Sequence, residues 1–130
     1  MYSVLLVDDE PSVLTGLRYV IDWDEYGVEI AGTASNGTQA LELLRELPVD
    51  ILITDIQMPQ MGGLELLQQV RAQNMDLRCI ILTGYDDFKY VKKAAQLGIE
   101  NYLLKPVSPE ELSETLLNTI TKIEYLRSRK

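Results

Sequence analysis

Residues 4–11 read Val4-Leu5-Leu6-Val7-Asp8-Asp9-Glu10-Pro11, and the order of residue types in them decides the fold. Four aliphatic residues in a row are too few for a helix and suit a strand covered on both faces. Three carboxylates follow directly, then a proline suited to the first turn of a helix. Beyond it Val13, Leu14, Leu17, Val20 and Ile21 share one helical face. The unit is strand, acidic turn, helix.

The same unit recurs along the chain. Further apolar runs lie at Val28–Ala34, Ile51–Ile53, Cys79–Leu82 and Tyr102–Leu104. Helical faces are predicted from Ala40, Leu41, Leu44 and Leu47 after the turn signal Asn36-Gly37, and from Leu64, Leu67 and Val70 after Gly62-Gly63. Val91, Ala94 and Ala95 form another, with Asp86-Asp87 expected to cap it. Ser108-Pro109-Glu110-Glu111 is a capping box with proline at the first helical position, and Leu112, Leu116, Ile120 and Ile123 form the core face beyond it. Strand–helix alternation of this kind predicts an α/β fold, a parallel sheet with helices on both faces.

Composition narrows the chemistry. The chain has 130 residues, 46% of them apolar, and a net charge of −8, which fits one domain with one core. It holds no histidine and one cysteine, Cys79. That excludes histidine-based catalytic triads, imidazole metal sites and an internal disulfide. The negative charge argues against gripping nucleic acid or anionic lipid by charge alone. No apolar stretch approaches the roughly 18 residues of a membrane span, and Met1-Tyr2-Ser3 lacks the basic start of a secretory signal. A cytoplasmic protein is expected. Residues 121–130 carry four basic residues and one acidic, either the start of a linker or a solvated helix end.

The polar residues that close the apolar runs carry the most information. The first run ends in Asp8-Asp9-Glu10, the third in Asp55, the fourth in Thr83 and the fifth in Lys105. In an open parallel sheet the carboxyl ends of the strands share one edge, where ligands bind. Asp8, Asp9, Asp55 and Lys105 there sum to −2. Two like charges ~4 Å apart at an effective dielectric near 20 repel by ~4 kcal/mol, so the cluster either raises a carboxylate pKa or takes a cation. Oxygen donors alone select a hard ion, and Mg²⁺ suits few protein ligands with retained water. A carboxylate beside Mg²⁺ and a lysine is also a nucleophile toward phosphorus. Mg²⁺, Lys105 and the Thr83 hydroxyl can each hold one equatorial oxygen of a phosphoryl group on Asp55.

These stretches, with Asp55-Ile56-Gln57-Met58-Pro59, Leu82-Thr83-Gly84-Tyr85 and Tyr102-Leu103-Leu104-Lys105-Pro106, resemble the receiver domain of two-component response regulators over roughly residues 2–125. The resemblance implies a (βα)5 flavodoxin-like three-layer sandwich with a five-stranded parallel sheet in the order 2-1-3-4-5. It implies that a sensor histidine kinase donates a phosphoryl group to Asp55. Mg²⁺ would be held by Asp9, Asp55 and the backbone carbonyl of Gln57, with Asp8 assisting. Thr83 and Lys105 would act at the phosphoryl group, Tyr102 would be the switch aromatic, and the Lys105-Pro106 bond would be cis. The output would be a changed surface of the fourth helix, fifth strand and fifth helix, favouring a phosphorylation-dependent homodimer. Residues 1–125 would be the receiver and 126–130 a basic tail leading to an absent, transcription-regulating output domain, through which alone DNA would be contacted. Asp22-Trp23-Asp24-Glu25-Tyr26-Gly27 and Gly84-Tyr85-Asp86-Asp87-Phe88 look like receivers joined to AraC-type DNA-binding domains. The double glycine Gly62-Gly63 departs from the family's frequent Asp or Asn before the glycine and weakens the cap on the third helix.

Each residue also has a plainer reading. Asp8 and Asp9 suit a helix N-terminus, Thr83 a strand end, Tyr102 a half-buried strand, Trp23 loop packing and Cys79 a small core site. Gln57 and Tyr85 either flank the path of attacking water or are loop residues without a kinetic role. Rival functions are a stand-alone phosphorelay receiver, an aspartate-nucleophile phosphatase, a flavodoxin-type FMN binder and a constitutive interaction module. Gln57 stands where such a phosphatase places its acid, and Asp8-Asp9-Glu10 would repel an FMN phosphate. The reading is therefore not an enzyme acting on external substrates, only one catalysing its own phosphoryl transfer and autodephosphorylation.

Overall fold

The computed structural model describes residues 1–84 and 87–129. Five strands, β1 (Tyr2–Val7), β2 (Val28–Ala34), β3 (Ile51–Asp55), β4 (Arg78–Thr83) and β5 (Asn101–Leu104), alternate with α1 (Pro11–Val20), α2 (Gly37–Glu46), α3 (Gly63–Ala72), α4 (Phe88–Leu97) and α5 (Pro109–Ser128). The strands pair in parallel in the order β2-β1-β3-β4-β5. Order and class agree with the expectation.

Period-two side-chain alternation divides the core between two faces of the sheet. Leu5, Val7, Leu52, Cys79 and Ile81 meet Ala40, Leu41, Leu44, Leu66, Leu67, Val70, Val91 and Ala94 from α2, α3 and α4. Val4, Leu6, Ile51, Ile53, Ile80, Leu82 and Leu103 meet Leu17 of α1 and Leu112, Leu116, Ile120 and Ile123 of α5. Trp23 joins this second layer from a short 3-10 helix, Trp23–Tyr26, its indole N–H donating to the Leu17 carbonyl at 2.9 Å. Its packing role is thereby met, as is the core placement of Cys79, which is fully buried.

Several details differ from the periodic reading. On α1 only Leu17 is buried, while Val13, Leu14, Val20 and Ile21 pack half-buried at the margin of the core. Leu64 is likewise marginal, and Leu66 takes the buried place. Leu47 is half-buried just beyond α2, and Ala95 is exposed, because α4 covers the edge of the sheet with Val91 and Ala94. Asp87 does not cap α4: its carboxylate turns back to accept the Gly84 N–H at 2.9 Å. Its companion Asp86 lies outside the described residues. The cap of α5 is as expected, with Ser108 Oγ accepting the Glu111 N–H at 3.3 Å and Pro109 in the first turn.

α5 runs without a break through residues 121–128. Arg127 holds its last turn to the N-terminal edge of the sheet, 2.8 Å from Asp50 and 5.6 Å from the centre of the Tyr2 ring. Among the described residues no helix is long and apolar enough to cross a membrane.

Candidate functional site

Register places the site. Val7 pairs with Thr54, Asp55 with Leu82 and Thr83 with Leu104, so β1, β3, β4 and β5 end at one edge. The residue after β1 is Asp8, β3 closes on Asp55, β4 on Thr83, and Lys105 comes directly after β5. The Lys105 N–H donates to the Thr83 carbonyl at 2.8 Å, and the Asp8 N–H to the Ala34 carbonyl at 3.1 Å. Backbone bonds thus fix where these side chains start.

The side chains converge on Lys105. Its Nζ stands 3.3 Å from Asp8 Oδ2, 3.3 Å from Asp55 Oδ2 and 3.8 Å from Glu10 Oε1. The opposite oxygens are also held: Asp8 Oδ1 accepts the Glu10 N–H and Asp55 Oδ1 the Ile56 N–H, both at 2.9 Å. Asp8 is fully buried and Asp55 is 4% exposed. Asp9 and Glu10 are exposed beside them. Sequence reasoning gives Glu10 no separate part; its place on the same lysine comes from the tight turn closed by Asp8, which periodicity does not reveal.

One ammonium among these acids leaves the edge strongly negative. Burial, and next to it the charge of Asp8, push the Asp55 pKa up to about 6, against the pull of Lys105. Burial raises Asp8 as well, opposed by the Glu10 N–H and Lys105. Burial alone would lower Lys105, but Asp55 and Asp8 outweigh it and hold the ammonium above the ordinary lysine value. Buried carboxylates held at a cost are what a cation would relieve. Carboxylate oxygens of Asp8, Asp9 and Glu10 lie within 4.8 Å of one another. An oxygen-only set of this kind fits a hard divalent ion.

The remaining candidates surround this centre. Thr83 is buried, and its hydroxyl donates to the Gly84 carbonyl at 2.8 Å rather than into the acidic cluster. Tyr102 stands on the edge strand 48% exposed. Gln57 is exposed at the start of the loop after β3, and Tyr85 lies outside the described residues. Lys105-Pro106 is cis. Gly63 is required by close approach, since a Cβ there would collide with the Asp55 carbonyl oxygen. Gly62 before it supplies no side-chain cap to α3.

Comparison with known proteins agrees with this edge. Residues 4–117 match the family model of the response regulator receiver domain. The chain is 37% identical over 124 residues to the uncharacterized transcriptional regulatory protein YesN of Bacillus subtilis, covering 95% of this chain and 34% of that protein. It is 37% identical over 122 residues to the transcriptional regulatory protein HptR of Staphylococcus aureus, covering 94% and 47%. The chain thus spans half or less of the length of these relatives. Among solved structures, the REC domain of AraT, a response regulator from Geobacillus stearothermophilus, superposes with a TM-score of 0.90 at 38% identity, covering 97% of this chain and 98% of that one. A two-component transcriptional regulator AraC from Clostridium phytofermentans gives 0.87 at 30%, covering 96% and 97%. Fold, sequence and the acidic edge agree: the chain belongs to the response regulator receiver domains of two-component systems.

Proposed function

We propose that Asp55 is the acceptor of a phosphoryl group delivered by a sensor histidine kinase, and that the modified edge drives a switch controlling transcription. The observation that carries this is the buried Asp55 carboxylate, 3.3 Å from a lysine that it shares with Asp8. A carboxylate so placed is desolvated, oriented and next to a fixed cation, the conditions for attack on phosphorus.

In the reaction one Asp55 oxygen attacks phosphorus in line with the departing group. The phosphorus–nitrogen bond of a phosphohistidine, or the phosphorus–oxygen bond of acetyl phosphate, breaks, and the leaving atom keeps the electron pair. Lys105 follows the growing negative charge from the carboxylate to a phosphoryl oxygen. Asp8, Asp9, Asp55 and the Gln57 carbonyl would hold Mg²⁺, which when bound neutralises phosphoryl oxygens. The Thr83 hydroxyl must leave the Gly84 carbonyl to donate to another of those oxygens. Its turn vacates space beside β5 into which Tyr102 moves, altering the face made by α4, β5 and α5. Two copies joined through that face are the proposed output, which a transcription-regulating domain after residue 130 would read. Relatives described as transcriptional regulatory proteins support that last step.

Incubation with Mg²⁺ and acetyl phosphate should add the mass of one phosphoryl group, and Asp55→Asn should abolish it. A mass gain that survives in Asp55→Asn, or none in the unmodified chain, overturns the assignment. Turnover of phosphate esters well beyond one equivalent would favour a phosphatase instead.

A further inference from the structure

The Asn36-Gly37 pair reads in sequence as a turn signal, yet Gly37 is the first residue of α2 and is not among the residues with positive φ. Asn36 accounts for the cap, its Oδ1 accepting the Gln39 N–H at 2.8 Å. The glycine answers a different demand. Its N–H donates to the Met61 carbonyl at 2.7 Å. A Cβ at position 37 would lie 2.6 Å from that carbonyl oxygen, 2.6 Å from Met61 Cγ and 2.8 Å from Met61 Cβ. Real Cβ atoms do not approach backbone this closely, so any side chain at 37 displaces residue 61.

Residue 61 belongs to the loop that leaves Asp55. The loop turns through Gln60 in the left-handed region, φ 66°, and closes where the Gly63 N–H donates to the Ile56 carbonyl at 3.0 Å. Gly63 lies against the Asp55 carbonyl. The segment from Ile56 to Gly63 is therefore held at two points, on β3 by Gly63 and on α2 by Gly37. Gln57 lies within this segment, between Ile56 and Met61. The strand leading to Gly37 also braces Asp8, through the Ala34 carbonyl.

We propose that Gly37 is a positioning residue for the acceptor loop: by admitting the Met61 carbonyl against the first turn of α2, it sets where the backbone of Gln57 lies relative to Asp55. The metal consequence rests on the magnesium reading above. Displacing residue 61 moves a ligand carbonyl without touching any carboxylate, as loss of a supporting group does around other metal sites.

The test compares Gly37→Ala with Ile123→Val, a core truncation on the opposite face of the sheet. Calorimetric titration with Mg²⁺ at pH 7 should show affinity about tenfold weaker or worse in Gly37→Ala and unchanged in Ile123→Val. Amide exchange across residues 56–63 should quicken in the first variant only. Wild-type affinity and wild-type exchange in Gly37→Ala overturn the proposal, as does equal weakening in both variants. If the unmodified chain binds no Mg²⁺ at millimolar concentration, the metal reading fails by itself, and exchange across 56–63 alone decides the role of Gly37. Should Gly37→Ala not fold, Gly37→Ala/Met61→Ala removes the Cγ contact, keeps the carbonyl approach and carries the same readouts.

Discussion

Asp55 is held in a state that opposes its own charge, and that has a consequence for stability. Its pKa in the folded chain is about 6 against an ordinary 3.8, so between those values the native state binds more protons than the unfolded one. Stability from this group then falls as pH rises through that window and is fully lost above it. Two units correspond to about 2–3 kcal/mol. Without metal, Asp55→Asn should match the unmodified chain in urea denaturation near pH 4 and exceed it by up to about that amount at pH 7. Equal stability at both pH values would mean that burial does not strain the carboxylate. Asp8 leans in the same direction for the same reason. Such stored cost at a single residue is a common mark of a site kept for function rather than for folding.

At the scale of elements the chain divides into contacts that a sequence displays and contacts that it hides. The N-cap at Ser108 is local and was legible, although the Ser108 hydroxyl donates to Glu110 and no reciprocal bond from Glu111 completes the box; Ser108→Ala should cost about 1 kcal/mol, seen as a lower urea midpoint with an unchanged slope. The polar ends of β1, β3, β4 and β5 were legible too, because a parallel sheet brings those ends together whatever the loops do, whereas strand order came only from the resemblance to receiver domains. Periodicity did not reveal that Glu10 shares Lys105, that Asp87 turns away from α4, or that Leu66 rather than Leu64 is buried. These depend on backbone turns and on where a helix sits on the sheet edge, which no spacing encodes. Glycines show the same division. A Cβ on Gly16 of α1 meets nothing within 4 Å, so Gly16→Ala should raise stability by roughly 0.5–1 kcal/mol through helix propensity. If thermal unfolding instead shows a loss, α1 does not sit as described.

For the whole molecule the two edges of the sheet have opposite characters. At the N-terminal edge charges are matched: Arg127 meets Asp50 at 2.8 Å, and Arg78 lies between Asp76 and Glu100. At the other edge Lys105 alone answers Asp8, Glu10 and Asp55 among the described residues, with Asp9 beside them. A fold stabilised throughout by matched charge would not leave that imbalance, so the acidic edge is where a ligand should add most. A cation that binds only the native state stabilises it by mass action, about 2.7 kcal/mol at a concentration one hundred times Kd. Mg²⁺ should therefore raise the Tm at pH 7, and the rise should shrink toward pH 5, where protons occupy Asp55 and compete with the metal. Asp9→Asn should reduce the rise with little effect on the metal-free Tm, because Asp9 is exposed. Asp50→Asn, at the matched edge, should lower the metal-free Tm and leave the Mg²⁺ increment intact. An increment equal at both pH values, or one lost in Asp50→Asn and kept in Asp9→Asn, would place the ion elsewhere than beside Asp55.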